Sequence, residues 1–275
     1  MFKIAYCAGH YLGTPGKRVP KYLDPDQTRE WVLNDRIARY FADAAKQYDG
    51  VELLRTDDPT GKTHISIKNR TKKANNWGAD LYVDIHHNAG INGGTGGGVV
   101  AFSKKKDATG KEYRDAIYAE VIAAGKLKGN RANPLVEKNY STMVYSKAPA
   151  VLIEYGFMDS RTDYPIISTD EYAKKVGYAT MEAIAKVKGL KKKTDTNNDV
   201  YCKVNVRVLK KGAKGEDVKA LQTLLIGYGF DCGSSGVDGS FGNATDKALR
   251  EYQKTNGLTA DGSCGPATWA SLLGV

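Results

Sequence analysis

Residues 189 to 202 read GLKKKTDTNNDVYC. Three consecutive lysines are followed by Thr, Asp and Asn, with almost nothing that can be buried. Such a composition is that of a solvated linker. One hydrophobic core cannot run across it, so the 275 residues divide into a longer and a shorter unit. We assign residues 1–189 to a first domain, 190–203 to the linker and 204–275 to a second domain.

Short apolar runs alternate with amphipathic stretches in the first part. FKIAYCA, VELLRT, DLYVDIH, GGVVAFS and APAVLIEYG have the length and β-branched content of strands. Between them, Trp31 to Tyr48, Ile65 to Trp77, Lys111 to Ala124 and Asp170 to Val187 read as helices. In the first of these Ile37, Tyr40, Phe41, Ala44 and Ala45 recur at helical spacing. The alternation predicts an α/β fold, a mostly parallel twisted sheet with helices on both faces. In such a sheet, functional groups gather at the carboxyl ends of the strands.

The second part repeats itself. VDGSFGNATDKAL from Val237 matches ADGSCGPATWASL from Ala260. Both carry Asp-Gly-x-x-Gly-x-x-Thr before an apolar helical start. Their glycines suit tight turns, and Thr245 and Thr268 are expected to cap the helices that follow. Asp217 to Leu225 supplies another helix. This predicts a small helical C-terminal domain, without a catalytic set of its own, that serves as a binding module.

The formal net charge is +10 and the hydrophobic fraction 41%. That balance favours polyanionic partners, although the lysines are scattered along the chain rather than patched. No nucleic-acid-binding motif is present. No apolar run approaches the ~18 residues of a membrane span. The first ten residues lack the layout of a secretory signal. We therefore expect synthesis in a cytoplasm, no nucleic-acid partner, no membrane insertion and no obligate protein partner. Of four cysteines, Cys7, Cys202, Cys232 and Cys264, none forms a CxxC pair, which argues against thiolate zinc. Free thiols are expected, with pairing of Cys232 and Cys264 as the alternative if the chain is exported.

Four polar positions lie at, or just beyond, predicted strand ends: His10, Glu30, His86 or His87, and Glu154. Glu154 sits inside VLIEYG, where an ionised carboxylate is costly unless paired, metal-bound or protonated. Taken one at a time, each position has an ordinary structural reading: a turn histidine, a helix N-terminal charge, a buried ion pair. Together, two histidines and one glutamate make a zinc-binding set with a position left for water, and a second glutamate can carry the proton. Strand alternation points His86 and His87 to opposite sides, so they cannot easily share one ion. His64 in GKTHISIKN reads as a surface or capping residue, and the GGTGGG run, residues 93–98, as a mobile loop rather than a phosphate cradle.

Five ordered motifs over residues 1 to 188 resemble the zinc-dependent N-acetylmuramoyl-L-alanine amidases of the Amidase_3 family: GH at Gly9-His10, EWVLNDRIA from Glu30, RTKKAN from Arg70, DIHHNA from Asp84 and PAVLIEYGF from Pro149. The resemblance puts His86 at the family's ligand position and His87 at a variable one. His87 is then expected to be a partly exposed strand-end residue. It implies one zinc ion per catalytic domain, held by His10, Glu30 and His86, with Glu154 as the catalytic proton carrier. The reaction it implies is hydrolysis of the amide between N-acetylmuramic acid and the L-alanine of the peptidoglycan stem peptide. Two departures stand out. The family's Asp-Pro before Gly-His is replaced by Cys7-Ala8, and its serine before Ile-His is Asp84. We expect Asp84 to accept a hydrogen bond from a ligand histidine. Asn88, Tyr11, Lys17 and Arg18 are the other candidates for contacts with ligands or substrate. A thiol mechanism on Cys7 with His10 as base is the rival chemistry.

Residues 204 to 273 resemble the PG_binding_1 type of peptidoglycan-binding domain, carried by LKKGAKGEDVKALQTLL and VDGSFGNATDKALREYQ. The pair of resemblances implies a cell-wall lytic enzyme. A phage endolysin released through holin lesions and an autolysin or sporulation amidase acting after lysis both fit. A silent wall-binding protein and a zinc endopeptidase are the competing functions.

Overall fold

The computed structural model describes residues 1–193 and 207–274. The chain separates into two compact units, Met1–Thr196 and Asn197–Val275. The expected linker lies outside the described residues from position 194 onward, as does Cys202.

The first unit is built on a six-stranded sheet in the order β2-β1-β3-β6-β4-β5. These strands are β1 (Phe2–Ala8), β2 (Val51–Arg55), β3 (Leu81–Asn88), β4 (Val100–Ser103), β5 (Leu135–Glu137) and β6 (Ala150–Phe157). β2, β1, β3 and β6 run parallel, and β4 is antiparallel to β6. Period-two alternation feeds two cores. Ile4, Tyr6, Val83, Ile85, Val151 and Ile153 pack into one core with residues of α1 (Glu30–Ala45), α3 (Ala108–Gly125) and α6 (Asp170–Lys188). Ala5, Cys7, Tyr82, Phe102 and Leu152 form the other, with Ala74 of α2 (Ile67–Trp77) and Met143 of α4 (Ser141–Tyr145). The sheet is therefore covered on both faces, as the alternating pattern requires.

β5, α4 and the four-residue α5 (Tyr164–Ile167) were not anticipated. Each is too short for periodicity to register. The scattered lysines are also redistributed: folding brings several that are distant in sequence onto one face, as described below.

The second unit packs α7 (Glu216–Gly227), α8 (Asn243–Thr255) and α9 (Pro266–Leu273) around Leu209, Leu221, Leu225, Phe241, Leu249, Tyr252 and Trp269. Its internal repeat is structural, but the threonines are not caps. The N-cap residues are Gly242 and Gly265, without side-chain cap bonds. Thr245 and Thr268 lie inside the helices and meet two buried glutamines. Gln222 Nε2 donates to Asp238 Oδ1 (2.8 Å), Ser240 O and Thr245 Oγ1, while its Oε1 accepts from Gly239 N. Gln253 repeats the pattern with Asp261 Oδ1 (3.0 Å), Ser263 O, Thr268 Oγ1 and Gly262 N. Cys232 and Cys264 are free and buried.

Candidate active site

β1 ends at Ala8, and the chain turns through Gly9 and His10 over the carboxyl edge of the sheet. His10 takes a left-handed backbone conformation, φ +66°, which costs a residue with a Cβ roughly 1–2 kcal/mol. Arg70 holds this turn in place. Buried on α2, it donates to Ile65 O (2.8 Å), Ala8 O (2.9 Å) and His10 O (2.5 Å). Gly9 has no side chain for a different reason: a Cβ there would overlap the His86 imidazole.

Glu30 is the first residue of α1 and is 0% exposed. The helix amino terminus favours its negative charge. Its Oε1 accepts from His87 N (3.2 Å) and Asn34 Nδ2 (3.4 Å) and lies 3.1 Å from His86 Nδ1. Its Oε2 lies 3.3 Å from His10 Nε2 and 3.6 Å from Lys17 Nζ, and is buried without a hydrogen-bond partner. Burial alone would raise its pKa. The hydrogen bond and charge of His86, with His10 and Lys17, outweigh burial and hold it at about 2.

One donor atom each from His10, Glu30 and His86 lies within 4.8 Å of the other two. A buried, ionised carboxylate with one oxygen lacking a hydrogen-bond partner, faced by two imidazoles, is a cation-seeking arrangement. The His86 ring bridges two carboxylates: Nδ1 faces Glu30, and Nε2 lies 3.2 Å from Asp84 Oδ1. Asp84 is buried and also accepts from Cys7 Sγ (2.9 Å) and Thr142 Oγ1 (2.7 Å). Burial pushes its pKa up, but His86 and these hydrogen bonds prevail and keep it below the usual carboxylate range.

Glu154 is the register partner of His86 across β3 and β6, so both side chains project from the same face. Its Oε2 is buried with no hydrogen-bond partner. Burial raises its pKa to about 7, with the Glu30 charge adding to the rise and His86 opposing it. Among the described residues it has no lysine or arginine partner, so the buried ion pair of the ordinary reading is not made.

The remaining candidates separate. Tyr11 and Thr14 line a cleft of about 300 Å³ with Cys7, His10, Asp84 and His86. Lys17 reaches Glu30. Arg18 is exposed and pairs as an isolated bridge with Arg29, away from the cleft lining. Asn88 turns its Oδ1 back to accept from Ala89 N (2.9 Å). Cys7 is buried and hydrogen-bonded to Asp84, and burial together with the Asp84 charge raises its thiol pKa well above normal. Such a thiol is a poor nucleophile at neutral pH.

One histidine differs from expectation, and another is the expected surface residue in an unexpected place. His87 is not partly exposed: it is 2% exposed, with Nδ1 2.7 Å from Asn34 Oδ1. Burial lowers its pKa to about 3, so it is neutral. The strand end stays under α1 because the Asn34 amide also donates to Gly9 O (3.1 Å) and ties the three segments together. His64 is exposed, but it stands in the cleft wall with its ring 5.1 Å from that of Tyr11. Asn34 was visible only as part of EWVLNDRIA, and nothing in GKTHISIKN marks His64 as a cleft residue.

The family model described as N-acetylmuramoyl-L-alanine amidase matches residues 4–186, and a peptidoglycan-binding domain family matches residues 214–272. The sporulation-specific N-acetylmuramoyl-L-alanine amidase of Bacillus subtilis (strain 168) is 30% identical over 235 residues, covering 84% of this chain and 83% of that protein. The endolysin of Bacillus phage SPP1 is 33% identical over 150 residues, 52% of each chain. Among solved structures, the N-acetylmuramoyl-L-alanine amidase of Clostridium difficile 630 shares the fold. Its TM-score is 0.61 at 24% identity, over 68% of this chain and 97% of that one.

Proposed function

The chain belongs to the N-acetylmuramoyl-L-alanine amidase family, Amidase_3, and from that membership we propose how its residues divide the work. It is a peptidoglycan hydrolase that cleaves the amide between N-acetylmuramic acid and L-alanine, and it carries a peptidoglycan-binding domain. Among the described residues no helix is long and apolar enough to cross a membrane.

In our reading His10, Glu30 and His86 hold one zinc ion. Two imidazole nitrogens and a carboxylate, with a position left for water, are a donor set characteristic of catalytic zinc. The chemistry such an ion supplies is Lewis acidity, polarising a carbonyl and bringing the pKa of water to about 7. Asp84 accepts from His86 Nε2 and would keep that proton in place, so that Nδ1, which faces Glu30, is the nitrogen that would give up its proton to hold the ion. Arg70 and Asn34 fix the backbone that carries His10. Glu154 takes a proton from water on its carboxylate and delivers it to the departing amine nitrogen of L-alanine. A carboxyl poised near 7 suits both transfers. Tyr11, Thr14 and His64 line the cleft in which the substrate lies. The relatives that match include a sporulation enzyme and a phage endolysin, and both settings place the activity at the wall.

The observation that carries this reading is the meeting of His10, Glu30 and His86 beside a partnerless Glu154. The test compares wild type with Glu154→Gln and His86→Ala, measuring bound zinc and the amino termini released from purified walls. Wild type and Glu154→Gln are expected to bind about one zinc, and His86→Ala far less. Wild type alone releases stem peptides with free L-alanine amino termini. New termini at another stem residue would make the chain an endopeptidase. Wall sedimentation without zinc or cleavage would make it a silent binder.

A further inference from the structure

Lys68, Lys72, Lys104, Lys105, Lys106 and Lys147 are far apart in sequence but share one face of the first unit. Lys104 to Lys106 form the turn from β4 into α3, closed by Lys106 in a left-handed conformation, φ +61°. Lys147 follows α4. Asn75 of α2 fixes it there: Asn75 Nδ2 donates to Tyr145 O (2.8 Å), and Lys147 N donates to Asn75 Oδ1 (2.9 Å). Two shallow depressions result. One, of about 270 Å³, lies between Lys104–Lys106 and Lys147. The other, of about 280 Å³, lies among Lys68, Lys72, Tyr145 and Lys147. Lys147 belongs to both, so the strip is continuous.

The charge on this strip is unneutralised. Ion pairs of the unit use other lysines: Lys17, Lys46, Lys111, Lys175 and Lys186. Among the described residues none of the six has a carboxylate within ion-pair distance. The acidic side chain in the lining, Asp107, accepts from Gly110 N at the start of α3. The strip leaves the cleft free. Ser103, at its head, pairs with Val151 near the amino end of β6, whereas the ligand-bearing turns lie at the carboxyl ends of β1 and β3. α2 links the two regions. Its Ile67 and Arg70 line the cleft, and Lys68 to Asn76 run along its flank for about 12 Å at the helical rise of ~1.5 Å per residue.

We propose that this strip docks a phosphodiester-linked anionic polymer attached to the cell wall. A row of ammonium groups, with no arginine fork in the lining, suits phosphates on a flexible backbone, each bound as a point charge. The activity on peptidoglycan selects the wall as the source. A polymer fixed to the same wall as the substrate would hold the cleft near its bonds and raise the effective concentration.

The test uses the full chain and soluble poly(glycerol phosphate). One variant carries Lys→Gln at all six positions. A control carries Lys→Gln at Lys21, Lys126, Lys128, Lys174, Lys188 and Lys191, exposed lysines of the same unit outside the strip and the cleft, giving the same net charge. Wild-type affinity is expected to fall about tenfold or more between about 50 and 200 mM salt, as counterion release requires. The strip variant should bind at least about tenfold more weakly with a flatter salt dependence, and the control within about twofold. Restricting the change to Lys104, Lys105 and Lys106 should give an intermediate loss. Equal losses in strip variant and control, no wild-type binding, or tighter capture of duplex DNA by the same lysines would each overturn the proposal. All variants should cleave polymer-stripped peptidoglycan at the wild-type rate. A strip variant slowed there as much as on whole walls would show that the lysines act on the cleft, and the idea fails.

Discussion

Glu154 faces opposite demands from catalysis and stability. Its carboxyl is ordinary at 4.5 in an unfolded chain and near 7 in the fold, because burial disfavours the charge. Between those values the folded chain keeps a proton that the unfolded chain has released. Stability therefore falls as pH rises from about 4.5 to about 7 and is level above that. A rise of this size corresponds to about 3 kcal/mol. In chelator-treated protein, Glu154→Gln should melt like wild type at pH 4 and several degrees higher at pH 8. A gap that does not change with pH would mean the carboxyl is not desolvated in solution. The same substitution should lower turnover at least about 100-fold, the usual contribution of a positioned proton carrier. Gly9 makes the reverse case, since its role is the absence of an atom. Gly9→Ala places a methyl group inside the His86 ring, and zinc content should drop with activity while the fold persists by circular dichroism. Retained zinc would show that the turn can shift.

The elements that the sequence announced are the long ones, together with the short strands β2 and β4, whose VELLRT and GGVVAFS runs stand out by residue type rather than by length. α1, α3 and α6 carry an apolar stripe of several turns, and β1, β3 and β6 are apolar runs bounded by turn residues, whereas α2 buries Arg70, Thr71 and Ala74. His10, His86 and Glu154 were legible for the same reason, since each follows or interrupts a strong apolar run of a strand, whereas Glu30 opens α1 and was legible only through the EWVLNDRIA motif. What stayed hidden depends on contacts made across the fold. His87 is buried because α1 lies over it, and His64 joins the cleft because Tyr11 turns toward it. The repeat threonines carry a capping residue type, yet glycine takes the cap and Thr245 and Thr268 face the glutamines. Gln222 and Gln253 each join a helix to the loop that follows it, and each satisfies buried groups that have few other partners. Gln222→Leu keeps much of the volume and removes every one of those bonds. It should destabilise the C-terminal unit by about 2–4 kcal/mol, read from denaturant unfolding. A cost near zero would mean that water replaces the amide.

At the scale of the whole chain, an amidase unit and a peptidoglycan-binding unit are joined to act on one insoluble polymer. A module that stays on the wall converts repeated encounters into local search, and the gain in avidity needs no new contact at the active site. The glutamine pair offers a way to remove that gain without shortening the chain. In a Gln222→Leu/Gln253→Leu double variant the C-terminal unit loses both of its glutamine networks, while the residues of the cleft are untouched. Zinc content should stay at the wild-type level, and hydrolysis of soluble muropeptide fragments should change by less than about twofold. Hydrolysis of intact walls should fall at least about tenfold, in step with lost sedimentation, because the tether and not the chemistry has been cut. Equal losses on both substrates would mean that the second unit supports the catalytic unit directly. Unchanged hydrolysis of walls would mean that the first unit holds the polymer by itself, and the lysine strip beside α2 is then the surface to test next.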